Sequence, residues 1–250
     1  VPTSDAPRAL ADVLAARRSS DTSIAAVVPA LDEVATVGSV VVGLVELVAA
    51  GLLDEVVVLD GGSDDGTVEA AAAAGARVVA QQRTPRGLES GGGKGDALWQ
   101  GVATTTADIV VFVDADIRDF AGEFVVPLLG PLLVDPTIHL TKAAYDRSLG
   151  TTGAAHGGGR VTELLARPVL SLFWPELSFL AQPLAGEYAG RRSLLEAVPF
   201  VQGYGVELAL LVDTVDRLGP GAIAQVDLGV RHHRHQPLDA LGRMAGEILA

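Results

Sequence analysis

Along the first half of the chain, short β-branched runs alternate with alanine-rich stretches, the pattern of strands separated by helices. Ser23–Val28 predicts a strand, followed by a turn and a helix over Val34–Leu47. Val56–Leu59 predicts a second strand, ending at Asp60 and the polar turn GGSDDGT. A helix follows over Val68–Ala74, closed by Gly75 where a C-terminal cap belongs. Arg77–Ala80 reads as a third strand. After a glycine-rich loop come a helix over Lys94–Thr104 and a fourth strand over Asp108–Val113. Strands that are apolar throughout imply burial on both faces, hence βαβ units and a mostly parallel α/β sheet covered by helices on both sides. The second half is less regular, with strands over Ile138–Ala144 and Ile223–Val230 and a helix over Val161–Phe173. The stretch 150–159 reads as a mobile loop near the site. No repeat or linker divides the chain.

In such sheets ligands bind beyond the carboxyl ends of the strands. Polar groups collect at three of those ends: Pro29–Glu33, Asp60–Ser63 and Asp114–Asp116.

Composition narrows the classes. The 250 residues are 49% apolar, enough for a substantial core, and carry a net charge of −13. Such an acidic balance argues against a nucleic-acid partner and makes any anionic substrate depend on local basic groups or metal. Cysteine is absent, which removes thiolate catalysis and Cys-type zinc sites and fits a cytoplasmic location. The opening residues lack the layout of a signal peptide, and no apolar run is long enough for a membrane span, so no membrane partner is expected.

Asp114-Ala115-Asp116, directly after an apolar strand, is the sharpest chemical signal. Two carboxylates at i and i+2 reach one hard cation, Mg2+ or Mn2+, or one cation and one sugar hydroxyl. The competing reading is a solvated loop with two turn-forming aspartates. Lys94 and Lys142 are the only lysines, and Lys94 lies in GGGKGDALW, where glycines allow close backbone approach to a phosphate. Gly95 after the lysine rules out a Walker A loop. Gly159, Arg160 and Thr162 form a second glycine-rich helix opening, suited to phosphate or carboxylate, or else an ordinary loop. Arg231, His232, His233, Arg234 and His235 follow a strand; one histidine there suits a metal and the arginines an anion, against the reading of a basic surface patch. Glu187 and Glu207 read either as sugar ligands or as solvated acids.

Together VPALDE, VVVLDGGSDDGT, KGDALW and DIVVFVDAD resemble the nucleotide-binding half of GT-A glycosyltransferases. GGGRVTELLARP, QPLAGEYAGRRSLL, GYGVELALLVDTVDRLG and AIAQVDLGVRHHRHQPL resemble the actinobacterial glucosyl-3-phosphoglycerate synthases and the related mannosyl-3-phosphoglycerate synthases, in the same order from about residue 23 onward. The resemblance implies a GT-A fold, with residues 1–130 binding nucleotide sugar and 131–250 completing the acceptor and metal sites. It implies retaining transfer of a hexose from UDP-glucose or GDP-mannose to the 2-hydroxyl of 3-phosphoglycerate, dependent on Mg2+ or Mn2+, by a homodimer. By motif, Pro29, Ala30, Leu31 and Glu33, with Gly61 and Ala115, would hold the nucleotide. Lys94, Asp114 and Glu207 would face the donor phosphates and sugar; Asp116 and His233 would bind metal; Gly159, Arg160, Thr162, Arg231 and His235 would hold the acceptor.

Three positions depart from the pattern of the glucosyl enzymes: Asp32 for asparagine, Gly61 for serine and His235 for asparagine. The first two border the nucleotide and leave its base open. The loop between Tyr145 and Gly157 is also shorter than in that pattern. A sugar-1-phosphate nucleotidyltransferase would carry basic residues in a glycine-rich loop after the first strand, which VPALDEVATVG lacks. A nucleotide-sugar-binding regulator, and a GT-A enzyme with another acceptor, are the remaining rivals.

Overall fold

Ile24–Ala30 forms the strand from which the sheet grows in both directions, buried at every position but Pro29. The structure is a computed structural model describing residues 9–81, 93–147, 159–231 and 238–249. Its elements are α1 (Leu10–Ser19), β1 (Ile24–Ala30), α2 (Val37–Ala49), β2 (Glu55–Asp60), α3 (Thr67–Ala73), β3 (Arg77–Ala80), α4 (Lys94–Thr104), β4 (Ile109–Phe112) and α5 (Val126–Val134). The remainder are β5 (Leu140–Arg147), α6 (Arg167–Phe173), β6 (Tyr188–Arg191), α7 (Arg192–Leu195), α8 (Val206–Leu218), β7 (Ile223–Arg231) and α9 (Leu238–Leu249).

The strands form one sheet in the order β3-β2-β1-β4-β6-β5-β7. All run parallel except β6, which is antiparallel to both neighbours. The carboxyl ends of six strands and the amino end of β6 therefore share one edge. The chain winds outward from β1 to β3 and restarts at β4 on the other side of β1, which opens a crevice between the ends of β1 and β4.

Apolar side chains fill a layer on each face. One packs the sheet against α1, α2, α3 and α5; the other packs it against α4, α6, α7 and α8. Two glycines set how near the helices come. A Cβ on Gly101 of α4 would overlap Val27 of β1, and one on Gly122 would overlap the Gly43 carbonyl of α2. Among the described residues no helix is long and apolar enough to cross a membrane.

The mostly parallel α/β sheet agrees with the hydrophobic pattern, and the differences have local causes. The helix expected from Val34 begins at Val37, because the chain leaves β1 through Asp32 in the left-handed region (φ 55°) and then turns at Glu33–Thr36. The helix expected over Val161–Phe173 opens as a π-helical turn, Thr162–Ala166, before continuing as α6. Strand β6 has no counterpart in the hydrophobic pattern: four residues, YAGR, one of them glycine, fall below any period-2 signal. Helix α5, VPLLGPLLV, is apolar almost throughout and contains Pro131, so it shows no helical period either.

Candidate active site

The site begins with two helix starts held against each other. Lys94 is the first residue of α4, after Gly93 at φ 138°. Gly95 lies against the Val201 carbonyl, where a Cβ would overlap it, and a Cβ on Gly93 would stand 3.2 Å from the Gly203 nitrogen. The turn Gly203–Gly205 leads directly into α8, whose second residue is Glu207. The glycines thus bring the amino end of α4 onto the amino end of α8.

Asp114 completes the arrangement from two residues beyond β4. The Lys94 ammonium lies 2.7 Å from Asp114 Oδ1 and 2.8 Å from Glu207 Oε1. Glu207 is almost wholly buried, its side chain 5% exposed, while Lys94 and Asp114 keep partial access to solvent. Burial works against the Lys94 charge, but Asp114 and Glu207 outweigh it and hold the ammonium well above the ordinary lysine range. Gly186, just ahead of β6, makes room for Asp114: a Cβ there would overlap its carboxylate.

The other strand ends supply a polar frame. Asp60 is buried and accepts hydrogen bonds from the Gly62 and Ser63 amides. The Gly61 amide donates to the Ala30 carbonyl at 2.8 Å, joining the ends of β1 and β2. A Cβ at Gly61 would meet Ala30 and Leu31 at 3.5 Å, an ordinary contact. The Glu33 amide donates to Thr67 Oγ1, and the Asp32 amide to Ser63 Oγ. Leu31 stands 57% exposed beside this frame, while Ala30 and Ala115 are buried.

Several expectations are placed differently from the sequence reading. Glu187 and Glu207 are both buried, which removes the solvated-acid reading. Lys94, expected to approach the donor, pairs in this structure with two carboxylates. Gly159 (φ 70°), exposed Arg160 and buried Thr162 do sit at a helix opening, on a chain whose Ala166 and Leu170 join the same core layer as α4 and α8. Arg231 ends β7 at the functional edge, but its side chain, like the whole of His232, His233 and His235, lies outside the described residues. So does the loop 150–158.

Sequence reasoning missed two residues. Lys142 of β5 and Tyr188 of β6 are both buried, with the ammonium 4.6 Å from the ring centroid and bonded to the Ala185 carbonyl. Burial pulls Lys142 down to about 8, against the opposing pull of Glu207. Burial raises the Tyr188 hydroxyl well above its ordinary range, with Glu207 adding to the effect. The one available signal was a lysine inside an otherwise buried strand.

A divalent cation has a candidate donor here in Asp116, exposed at the edge two residues beyond Asp114. An exposed carboxylate oxygen suits Mg2+ or Mn2+, which complete their shells with substrate phosphates. Among the described residues no group of three His, Cys, Asp or Glu could hold a metal alone. Asp116 fits as one donor to such a cation.

Residues 25–158 match the family described as glycosyl transferase family 2. Over 243 residues the chain is 51% identical to the glucosyl-3-phosphoglycerate synthase of Mycolicibacterium smegmatis, covering 96% of this chain and 79% of that protein. A crystal structure of the Mycobacterium tuberculosis glucosyl-3-phosphoglycerate synthase with Mn2+, uridine-diphosphate-glucose and phosphoglyceric acid superposes with a TM-score of 0.88 at 46% identity, covering 100% of this chain and 86% of that one. A second structure of that enzyme, with Mg2+ and uridine-diphosphate, gives 0.85 at 47% identity, covering 96% and 81%.

Proposed function

The chain belongs to glycosyl transferase family 2 and to its glucosyl-3-phosphoglycerate synthases, with the GT-A fold, and from that premise we propose that it moves glucose from UDP-glucose to the 2-hydroxyl of 3-phosphoglycerate with retention at the anomeric carbon. The observation that carries this reading is the Asp114–Lys94–Glu207 cluster at the mouth of the β1/β4 crevice. The choice of UDP-glucose over GDP-mannose is supported by a relative at 46% identity that holds UDP-glucose.

In this reading residues 1–130 supply the nucleotide site. Pro29, Ala30, Leu31 and Glu33 meet the base and ribose with Gly61 and Ala115, and exposed Leu31 gives the base an apolar surface. Residues 131–250 complete the acceptor site with Gly159, Arg160, Thr162, Arg231 and His235. Asp116, with His233, would hold Mg2+ or Mn2+, which supplies positive charge for the departing diphosphate.

The chain's own residues orient the sugar. Asp114 and Glu207 accept hydrogen bonds from sugar hydroxyls, and Lys94 fixes both carboxylates while adding its charge beside the leaving group. A carboxylate already paired with an ammonium is a poor nucleophile for the anomeric carbon. This pairing favours same-face attack, with the leaving diphosphate oxygen taking the proton of the acceptor hydroxyl. A covalent sugar trapped on Glu207 would contradict it.

The direct test offers UDP-glucose and GDP-mannose separately with 3-phosphoglycerate and Mg2+, following product by mass and anomeric NMR coupling. The expected result is an α-configured glucosyl product from UDP-glucose alone. Pyrophosphate release from a nucleoside triphosphate and a sugar phosphate would instead establish a nucleotidyltransferase.

A further inference from the structure

Phe112 of β4, Tyr188 of β6, Lys142 of β5 and Gln225 of β7 form one row across the sheet. Phe112 and Tyr188 line the core layer that also packs α4 and α8, with ring centroids 4.7 Å apart, and Asp114 follows Phe112 by two residues, just beyond the end of β4. The side chain of Lys142 is 2% exposed, and its ammonium has the Ala185 carbonyl as acceptor and the Tyr188 ring beside it. The residue after Ala185 is Gly186, where an added Cβ would overlap the Asp114 carboxylate.

We propose that Lys142 is a positioning residue for the transfer: it fixes the Ala185–Gly186 peptide that seats Asp114 and supplies a second buried positive charge behind the Asp114–Lys94–Glu207 cluster. The inference rests on the glycosyl-transfer reading but concerns a residue that this reading does not use. An ammonium is an expensive way to fill a sheet interior, since burial without charge partners costs several kcal/mol. Its electrostatic neighbours are Glu207 from α8, Lys94 from α4, Glu187 just ahead of β6, the Tyr188 ring of β6 and Asp114 after β4. With both lysines protonated, Asp114 and Glu207 share two ammoniums. Loss of the Lys142 proton leaves Lys94 as the one ammonium facing both, so it holds them more strongly at the expense of the sugar.

The test compares the wild-type enzyme with Lys142→Met and Lys142→Arg. The wild type should lose kcat as pH rises through about 8, with the UDP-glucose and 3-phosphoglycerate KM values nearly unchanged. Lys142→Met should lower kcat about 20-fold at neutral pH, keep both KM values within about threefold, and lose the fall near pH 8. Lys142→Arg should recover activity and also lack that fall. A Lys142→Met kcat within about twofold of wild type, or one that keeps the same alkaline fall, overturns the proposal.

Because Lys94 and Lys142 are the only lysines, selective 13C labelling of lysine gives two side-chain signals and a readout independent of turnover. One should titrate near pH 8, and the Lys94 signal should shift in Lys142→Met and return in Lys142→Arg. A Lys94 signal that does not move between variants overturns the proposal even if the wild type makes no product, an outcome that would separately refute the donor and acceptor assignment. If Lys142→Met does not fold, the wild-type titration and Lys142→Arg decide.

Discussion

Gly186 lies so close to Asp114 that the smallest side chain at position 186 would overlap the carboxylate. Gly186→Ala should therefore push Asp114 off Lys94 without disturbing the core. Displacement of a catalytic group by about 1 Å costs on the order of 100-fold in rate, and steady-state kinetics should find a loss of that size in kcat. Activity near wild type would show that Asp114 need not hold this position.

Lys94 and Glu207 should behave as a coupled pair. Removing the ammonium in Lys94→Met leaves Glu207 buried beside Asp114, a change that costs about 3 kcal/mol when one partner of a buried pair is lost. Denaturant unfolding should find the double variant Lys94→Met/Glu207→Gln more stable than Lys94→Met alone. Simple additivity of the two changes would mean that the pair contributes no coupling.

Asp116 is exposed, and its removal should leave the fold intact. Asp116→Ala is expected to keep the melting temperature while abolishing Mg2+-dependent turnover and weakening Mn2+ binding in the presence of UDP. Near-normal turnover would remove Asp116 from the metal site.

Arg160 is also exposed, at the opening of the π-helical turn before α6. Arg160→Ala should raise the KM for 3-phosphoglycerate at least about tenfold and change the donor KM little, as expected when a charged hydrogen bond to an anion is lost. The reverse pattern would exchange the donor and acceptor assignments.

Lys142 gives a stability signature of fixed sign. Below about pH 8 the folded and unfolded states both hold its proton, and the cost of burying the charge is carried in full. Between about 8 and the ordinary lysine value of 10.5 the folded state has released the proton and the unfolded state has not, so its contribution to stability rises with pH. The difference in unfolding free energy between wild type and Lys142→Met should change by about 3 kcal/mol over that window in the wild type's favour. A pH-independent difference would mean an unperturbed lysine.

Much of this arrangement was legible in the chain because it follows from local chemistry. Apolar runs ending in Pro29–Glu33, Asp60–Ser63 and Asp114–Asp116 pointed to the strands and to the edge where their polar ends collect. The pairing of Lys94 was not legible, since its partners lie 20 and 113 residues further along, and only the fold brings them within hydrogen-bond distance. Lys142 escaped notice because a single lysine in a strand normally turns toward solvent, whereas the row shared with Phe112 and Tyr188 turns this one inward. Strand β6 escaped because its identity depends on the neighbours it is inserted between.

The contacts of Gly93 and Gly95 with Val201–Gly203 bear on how this enzyme can be recombined. The start of α4 and the segment leading into α8 meet through backbone surfaces that tolerate no added carbon at position 95 and little at 93. A chimera that joins residues 1–130 of this chain to the matching second part of a distant relative inherits an interface shaped for these glycines on one side only. Substitutions confined to one side of this contact are therefore expected to keep the chain folded more readily than an exchange of everything beyond it.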